Sequence, residues 1–206
     1  MSAAAVERNY YHFEEERSLL EAAEEISEKL PGYRVEILGG EITVAPPADA
    51  AHAKALTKVM APLIAAGLDG EESNVLQAIG LWLPTGEEDF AIPDISVVDA
   101  DVEDHLIKYN SYDPAVFRMV LEVTSSNYRT DLRTKVALYA EAGIPVYVIV
   151  DRHHQRVHVL TDPRNGAYEH AVHAPGTTFT LPASIGAEVE LSVDKLLQLK
   201  PANPDS

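Results

Sequence analysis

The run Val146–Tyr147–Val148–Ile149–Val150, entered through Pro145 and closed by Asp151, is apolar at every position. A strand with one wet face alternates apolar and polar residues, whereas one that is apolar throughout is covered on both faces. The chain therefore has to place material on either side of this strand. That requirement predicts a layered α/β or α+β sandwich around a mixed central sheet. The segment before it, RTDLRTKVALYAEAG, sets Leu132, Val136, Tyr139 and Ala140 on one helical face and stops at Gly143 and Pro145, so a helix feeds the strand. RVHVLT after it reads as a strand folding back alongside.

Upstream the same reasoning gives a helix over 13–30, with Leu19, Leu20, Ala23 and Ile26 as its apolar stripe and Pro31–Gly32 as its stop. YRVEILGGEITVAPP reads as a hairpin turning at Gly39–Gly40. A second helix spans about 50–65 through Leu56, Val59, Met60 and Leu63. VLQAIGLWLP, PDISVVDA and AVFRMVLEVTS follow as strands. The sequence contains no internal repeat, low-complexity tract or Gly/Ser linker. Its 206 residues are ample for one core and thin for two domains.

Composition narrows the function classes. The chain has no cysteine, which excludes disulfides and thiolate metal sites and suits a reducing, cytoplasmic setting. No stretch reaches the ~20 apolar residues that span a bilayer, and MSAAAVERNYYHFEEER lacks a basic flank and an apolar signal core. We expect no membrane partner. The net charge is −17, a field that repels nucleic acid, so binding of DNA would have to rest on local patches. Part of the excess is the glutamate-rich segment from Glu7 to Glu28, read as the solvated face of the first helix.

Glu122 breaks this ordinary picture. It stands inside Met119–Val120–Leu121–Glu122–Val123, an otherwise buried strand, where an ionised carboxylate is costly unless a cation or several donors meet it. Either it is paired for structure, with Arg118 on the same strand face as the nearest partner, or it is kept for chemistry. Asp94 opens the PDISVV strand behind a proline, and could converge with Glu122 if the two strands are neighbours. Two carboxylates at one spot repel unless a cation neutralises them, and hard oxygen donors with water suit magnesium or manganese. Lys135 follows, one turn into the next helix.

Asp94 in PD, Glu122 in LEVTS, then Asp131, Lys135 and Tyr139 in DLRTKVALYAEAGIPVYVIVD, together resemble the Uma-type family of restriction endonuclease-like proteins, within the PD-(D/E)XK nuclease superfamily. VEILGGEITVAPPADAAH, with Glu41 and His52, and the late FTLPASIGAEVELSVDKLL extend the likeness over about 31–197. The resemblance implies a restriction endonuclease-like core with Asp94, Glu122 and the Val123 carbonyl as magnesium or manganese ligands. It departs from the superfamily at Thr124, where the lysine two residues after the glutamate usually stands. The family likeness implies that Lys135 fills that space. His52, Glu41, Thr124 and Tyr139 are weaker candidates to line the site, and a core histidine is the plain alternative for His52. DRHHQRVH has the look of a metal cluster, although a solvent-exposed hairpin is the simpler reading. The expected layout is an acidic helical extension over 1–30, one domain over 31–197 and a frayed tail over 198–206.

The leading expectation is a metal-dependent endonuclease that hydrolyses phosphodiester bonds, with DNA as partner; cutting both strands of a duplex would favour a homodimer. A nuclease-fold module that binds or regulates without cutting is the alternative, motivated by the acidic charge and by Thr124. A glycosidase using the two carboxylates lacks an aromatic sugar platform, the chain having one tryptophan.

Overall fold

A computed structural model of the chain describes residues 17–124 and 129–198. Helix α1 (Leu19–Lys29) is followed by the hairpin β1 (Arg34–Leu38) and β2 (Glu41–Ala45), and then by helix α2 (Ala50–Ala65). Short strands come next: β3 (Ser73–Gln77), β4 (Gly80–Trp82), β5 (Phe90–Ala91), β6 (Ile95–Asp99), β7 (Leu106–Lys108) and β8 (Ser111–Tyr112). The centre is β9 (Phe117–Val123), α3 (Lys135–Glu141) and β10 (Val146–Asp151), continued by β11 (Arg156–Arg164) and β12 (Ala167–His173). A last hairpin, β13 (Thr178–Leu181) and β14 (Val189–Ser192), leads into α4 (Val193–Leu197).

One sheet runs β2-β1-β5-β4-β8-β7 and another β12-β11-β10-β9-β6-β3, with β13 and β14 forming a separate pair. The second sheet is mixed: β10 lies parallel to β9, the crossover being α3, while its other pairings are antiparallel. Helices and the first sheet flank it, as the apolar β10 run requires. Val146, Val148 and Val150 enter a core with α2, α4 and the last hairpin. Tyr147 and Ile149 point the other way, to a core shared with α3 and the first sheet. The same alternation turns Met119, Leu121 and Val123 of β9 to the first core, and Val120 to the second. Glu122 therefore faces α3.

Local chemistry sets the boundaries. Among the described residues the first helix begins at Leu19, because Ser18 and Glu21 form a reciprocal capping box at 3.1 Å in each direction; residues 13–16 of the expected helix lie outside the described residues. Leu20 and Ala23 pack that helix onto Val35, Ile37 and Phe90. The β1–β2 turn runs through Gly39 and Gly40 at φ +61° and +77°, the left-handed pair a two-residue hairpin needs. VLQAIGLWLP, expected as one strand, is two. Ala78 adopts φ +53° and the chain changes sheet between β3 and β4. Gly80 then lets β4 approach β8 so closely that a Cβ there would meet the Asn110 carbonyl at 2.5 Å. No helix of the described residues is long and apolar enough to cross a membrane.

Candidate active site

A cleft of about 580 Å³ opens where β1, the N-terminal end of α2, the start of β6, the end of β9, α3 and the turn after β10 meet. Each element contributes through its own periodicity. In β1, Val35 and Ile37 go to the core under α1, which leaves Arg34 and Glu36 on the face that lines the cleft. β6 pairs Ile95 with Leu121 of β9, so Asp94, one residue earlier, lies beside the end of β9. There its Oδ2 accepts a hydrogen bond from the Val123 amide at 2.8 Å. Asp94 and Glu122 thus line the same cleft, as the sequence suggested.

Lys135 joins them from α3. Its Nζ lies 2.7 Å from Glu122 Oε1, 2.9 Å from Glu36 Oε1 and 3.9 Å from Asp131 Oδ1. Only 2% of the residue is exposed, so this is a buried charge pair and no solvated helix lysine. The helix begins with a widened turn over Thr130–Thr134, in which the Lys135 amide donates to the Thr130 carbonyl. Such π-type turns recur at functional sites. Tyr147 fixes the turn by donating to the Asp131 carbonyl at 3.0 Å, and the Tyr139 hydroxyl donates to Glu122 Oε1 at 3.1 Å.

Arg34 and His52 both approach Asp94. Arg34 Nη2 stands 2.5 Å from Asp94 Oδ1, and its Nη1 is 3.6 Å from Glu122 Oε2. His52 Nε2 is 3.2 Å from Asp94 Oδ2 but out of line for a hydrogen bond, and among the described residues neither of its buried ring nitrogens has a hydrogen-bond partner. His52 is therefore a cleft residue and not a satisfied core histidine.

Electrostatically the cluster is short of positive charge. Glu36, Asp94, Glu122 and Asp131 face two permanent cations, Arg34 and Lys135. Burial pushes Glu122 well above the usual carboxylate range, with Asp94 and Asp131 adding and Lys135 opposing. Burial also raises Asp131 to about 6, against the pull of Lys135. Asp94 goes the other way: burial would lift it, but the His52 imidazole, the Arg34 guanidinium and the Val123 amide hold it well below. Burial works against the charge on Lys135 too, yet the carboxylates of Glu122, Glu36 and Asp131 outweigh it and keep the ammonium protonated.

Thr124, at the position where the superfamily lysine stands, is buried and serves as a tie. Its Oγ1 accepts from the Arg152 amide at 2.9 Å and lies 3.4 Å from the Val150 carbonyl. Glu41 is not brought to the cleft; it is exposed and pairs with Leu38 at the end of the hairpin. Arg118 is not the partner of Glu122, since its Nε binds Asp99 at 2.6 Å. Sequence reasoning missed Arg34, Glu36 and Arg152. Glu36 gave the same signal as Glu122, a lone carboxylate in the apolar run Val35–Glu36–Ile37–Leu38.

The DRHHQRVH segment is neither a metal cluster nor wholly solvated. Asp151 Oδ1 accepts from the His153 and His154 amides at 3.0 Å each, and its Oδ2 meets the His154 ring at 2.7 Å. His158 is buried, with Nδ1 2.8 Å from His170 Nε2 and Nε2 3.5 Å from Asp151 Oδ2. Its two nitrogens thus look at different partners. Among the described residues no three His, Asp or Glu side chains, here or in the cleft, gather around a point where an ion could sit.

Among solved structures, the chain is similar to one described as a putative nuclease belonging to DUF820 from Anabaena variabilis ATCC 29413. The TM-score is 0.61 at 16% identity, and the match covers 83% of this chain and 94% of that one. At that identity the likeness speaks for the fold. Among curated proteins none matches. The family model described as "Uma2: Putative restriction endonuclease" matches residues 21–194, and the chain belongs to that family.

Proposed function

We propose that the cleft hydrolyses phosphodiester bonds of nucleic acid, DNA foremost, with a divalent ion held by Asp94 and Glu122. The observation that carries this reading is the Lys135 ammonium delivered by α3 to 2.7 Å from Glu122, on the carboxylate that shares the cleft with Asp94. A helix lysine there can serve as the cation that Thr124 does not supply.

The residues fit a small, hard ion. Its donors would be carboxylate oxygens, and the cluster carries more carboxylates than cations. With only two carboxylates on neighbouring strands, the remaining coordination would fall to a main-chain oxygen, the Val123 carbonyl in this reading, and to water, the pattern magnesium favours. When bound, such an ion supplies Lewis-acid activation of water and charge to offset that of the phosphate. Glu36 and Glu122 hold Lys135 in place, and the ammonium donates to the phosphoryl oxygens as negative charge develops on them. Tyr139 keeps Glu122 oriented, and the Val123 amide does the same for Asp94. Lys135 acts as a hydrogen-bond donor and charge partner and not as a base, because the carboxylates around it keep it protonated.

One observation favours a second reading, a nuclease-fold module that binds without cutting: Arg34 already satisfies Asp94 and reaches toward Glu122. Nicking of supercoiled plasmid separates the two. Manganese-dependent nicking by the wild type that is lost in Asp94→Asn supports the hydrolase; absence of nicking by a metal-loaded wild type supports the module.

A further inference from the structure

Arg34 and Lys135 are both engaged by buried carboxylates. Arg152 differs. Its guanidinium lines the cleft and forms a two-point ion pair with Asp49, Nη1 to Oδ1 and Nη2 to Oδ2, each at 3.3 Å. The partner is an open carboxylate, with 64% of the Asp49 side chain exposed against 28% of that of Arg152. The two residues are 103 positions apart and bridge from the N-terminal end of α2 to the turn after β10.

The backbone beneath Arg152 is fixed on both sides while its side chain is not. Thr124 Oγ1 takes the Arg152 amide at 2.9 Å. Asp151 Oδ1 takes the next two amides, those of His153 and His154. Asp49 is independently placed, since its carboxylate caps α2 by accepting the His52 amide at 2.6 Å. The arrangement is a planar cation on an anchored stretch of backbone, resting on an exchangeable oxyanion. Carboxylate and phosphate present the same fork to a guanidinium, and an exposed pair holds weakly enough for a polyanion to replace one partner.

We propose that Arg152 grips a backbone phosphate next to the reacting one, and that Asp49 holds its side chain in readiness and competes for it. The proposal rests on the phosphodiester reading of the cleft. It also names a local positive contact in an acidic chain: when Arg152 exchanges partners, the phosphate gains a guanidinium and the Asp49 carboxylate keeps its cap on α2 and its exposure to solvent, where its charge costs little.

The test is fluorescence anisotropy of labelled DNA, one duplex and one single strand of equal length, in calcium buffer over a salt series. The proteins are the wild type, Arg152→Gln, Asp49→Asn and Arg164→Gln. Asparagine keeps the helix cap, and the Thr124 tie uses the backbone, so both cleft variants keep the fold. Arg164, 76% exposed and paired with Asp162 beyond the cleft, controls for lost net charge. Arg152→Gln is expected to weaken binding about tenfold and to lower the salt slope by about one. Asp49→Asn is expected to tighten binding severalfold, an effect that a merely structural ion pair would not produce. Wild-type binding with Arg152→Gln and Arg164→Gln alike, or with Asp49→Asn no tighter, overturns the inference alone. A wild type that binds neither probe overturns the phosphodiester reading and this inference together.

Discussion

Lys135 Nζ lies 2.7 Å from Glu122 Oε1, across 13 positions of sequence and between a helix and a strand. Both side chains are almost wholly buried. The isolated carboxylate in β9 is therefore paired, with Lys135 and not with Arg118, and the pair lines the cleft. Glu36 shares the same ammonium at 2.9 Å, so the lysine is held in a carboxylate cradle rather than by one partner.

Glu122→Gln should destabilise the fold, because it removes one arm of that cradle and leaves a buried ammonium short of charge. Breaking a buried pair from one side costs on the order of 3 kcal/mol, about 6–12 °C of melting temperature for a chain of this size. Adding Lys135→Met to Glu122→Gln should recover part of the loss, read as a coupling energy in a thermal double-mutant cycle. Strictly additive losses would show that the pair contributes nothing.

Manganese should raise the melting temperature of the wild type, since an ion that binds the native state stabilises it and the cluster carries more carboxylates than cations. Asp94→Asn keeps an acceptor for the Val123 amide but loses the charge, and the metal-dependent rise should vanish. Equal shifts in the two proteins would exclude Asp94 as a ligand.

Much of this was legible from sequence, for definable reasons. β10 was readable because it is apolar on both faces, Glu122 because it is not, and Asp94 because Pro93 fixes the strand mouth. Glu36 carried the same signal, a lone carboxylate in an apolar run, but Arg34 did not, because a hairpin with one face turned to a cleft looks like a hairpin with one face turned to water. The first sheet was largely invisible, since strands of two or three residues such as β5, β7 and β8 are too short for periodicity to register. β12 was missed for another reason: as an edge strand exposed along most of its length, it carries a mixed pattern. His158 followed from that omission, being buried through contacts with a strand that the sequence did not announce.

His158 gives a pH prediction. Burial holds its imidazole below the ordinary value of 6.5, the His170 and Arg156 charges add to this, and Asp151 opposes. A histidine whose folded-state value is depressed favours the neutral form. Its contribution to stability is thus complete above 6.5 and is lost as pH falls through the folded-state value. Relative to His158→Leu, the wild type should lose melting temperature as pH falls below 6.5. Parallel profiles for the two proteins would remove His158 as the cause. Asp151, held below its usual 3.8 by the His154 and His158 contacts although burial opposes, contributes only at lower pH.

The central claim, that Lys135 works on the phosphate within a metal-dependent nuclease site, is tested most directly by single-turnover cleavage of DNA with saturating manganese. Wild type is compared with Lys135→Ala and with Lys135→Ala/Thr124→Lys. Losing one donor to the developing oxyanion should slow cleavage by about 10²–10³, while manganese binding persists because lysine is no ligand. Lysine at position 124 should restore part of the rate. Cleavage by Lys135→Ala at the wild-type rate, or a wild type that binds manganese and cuts neither single- nor double-stranded DNA, would contradict the account.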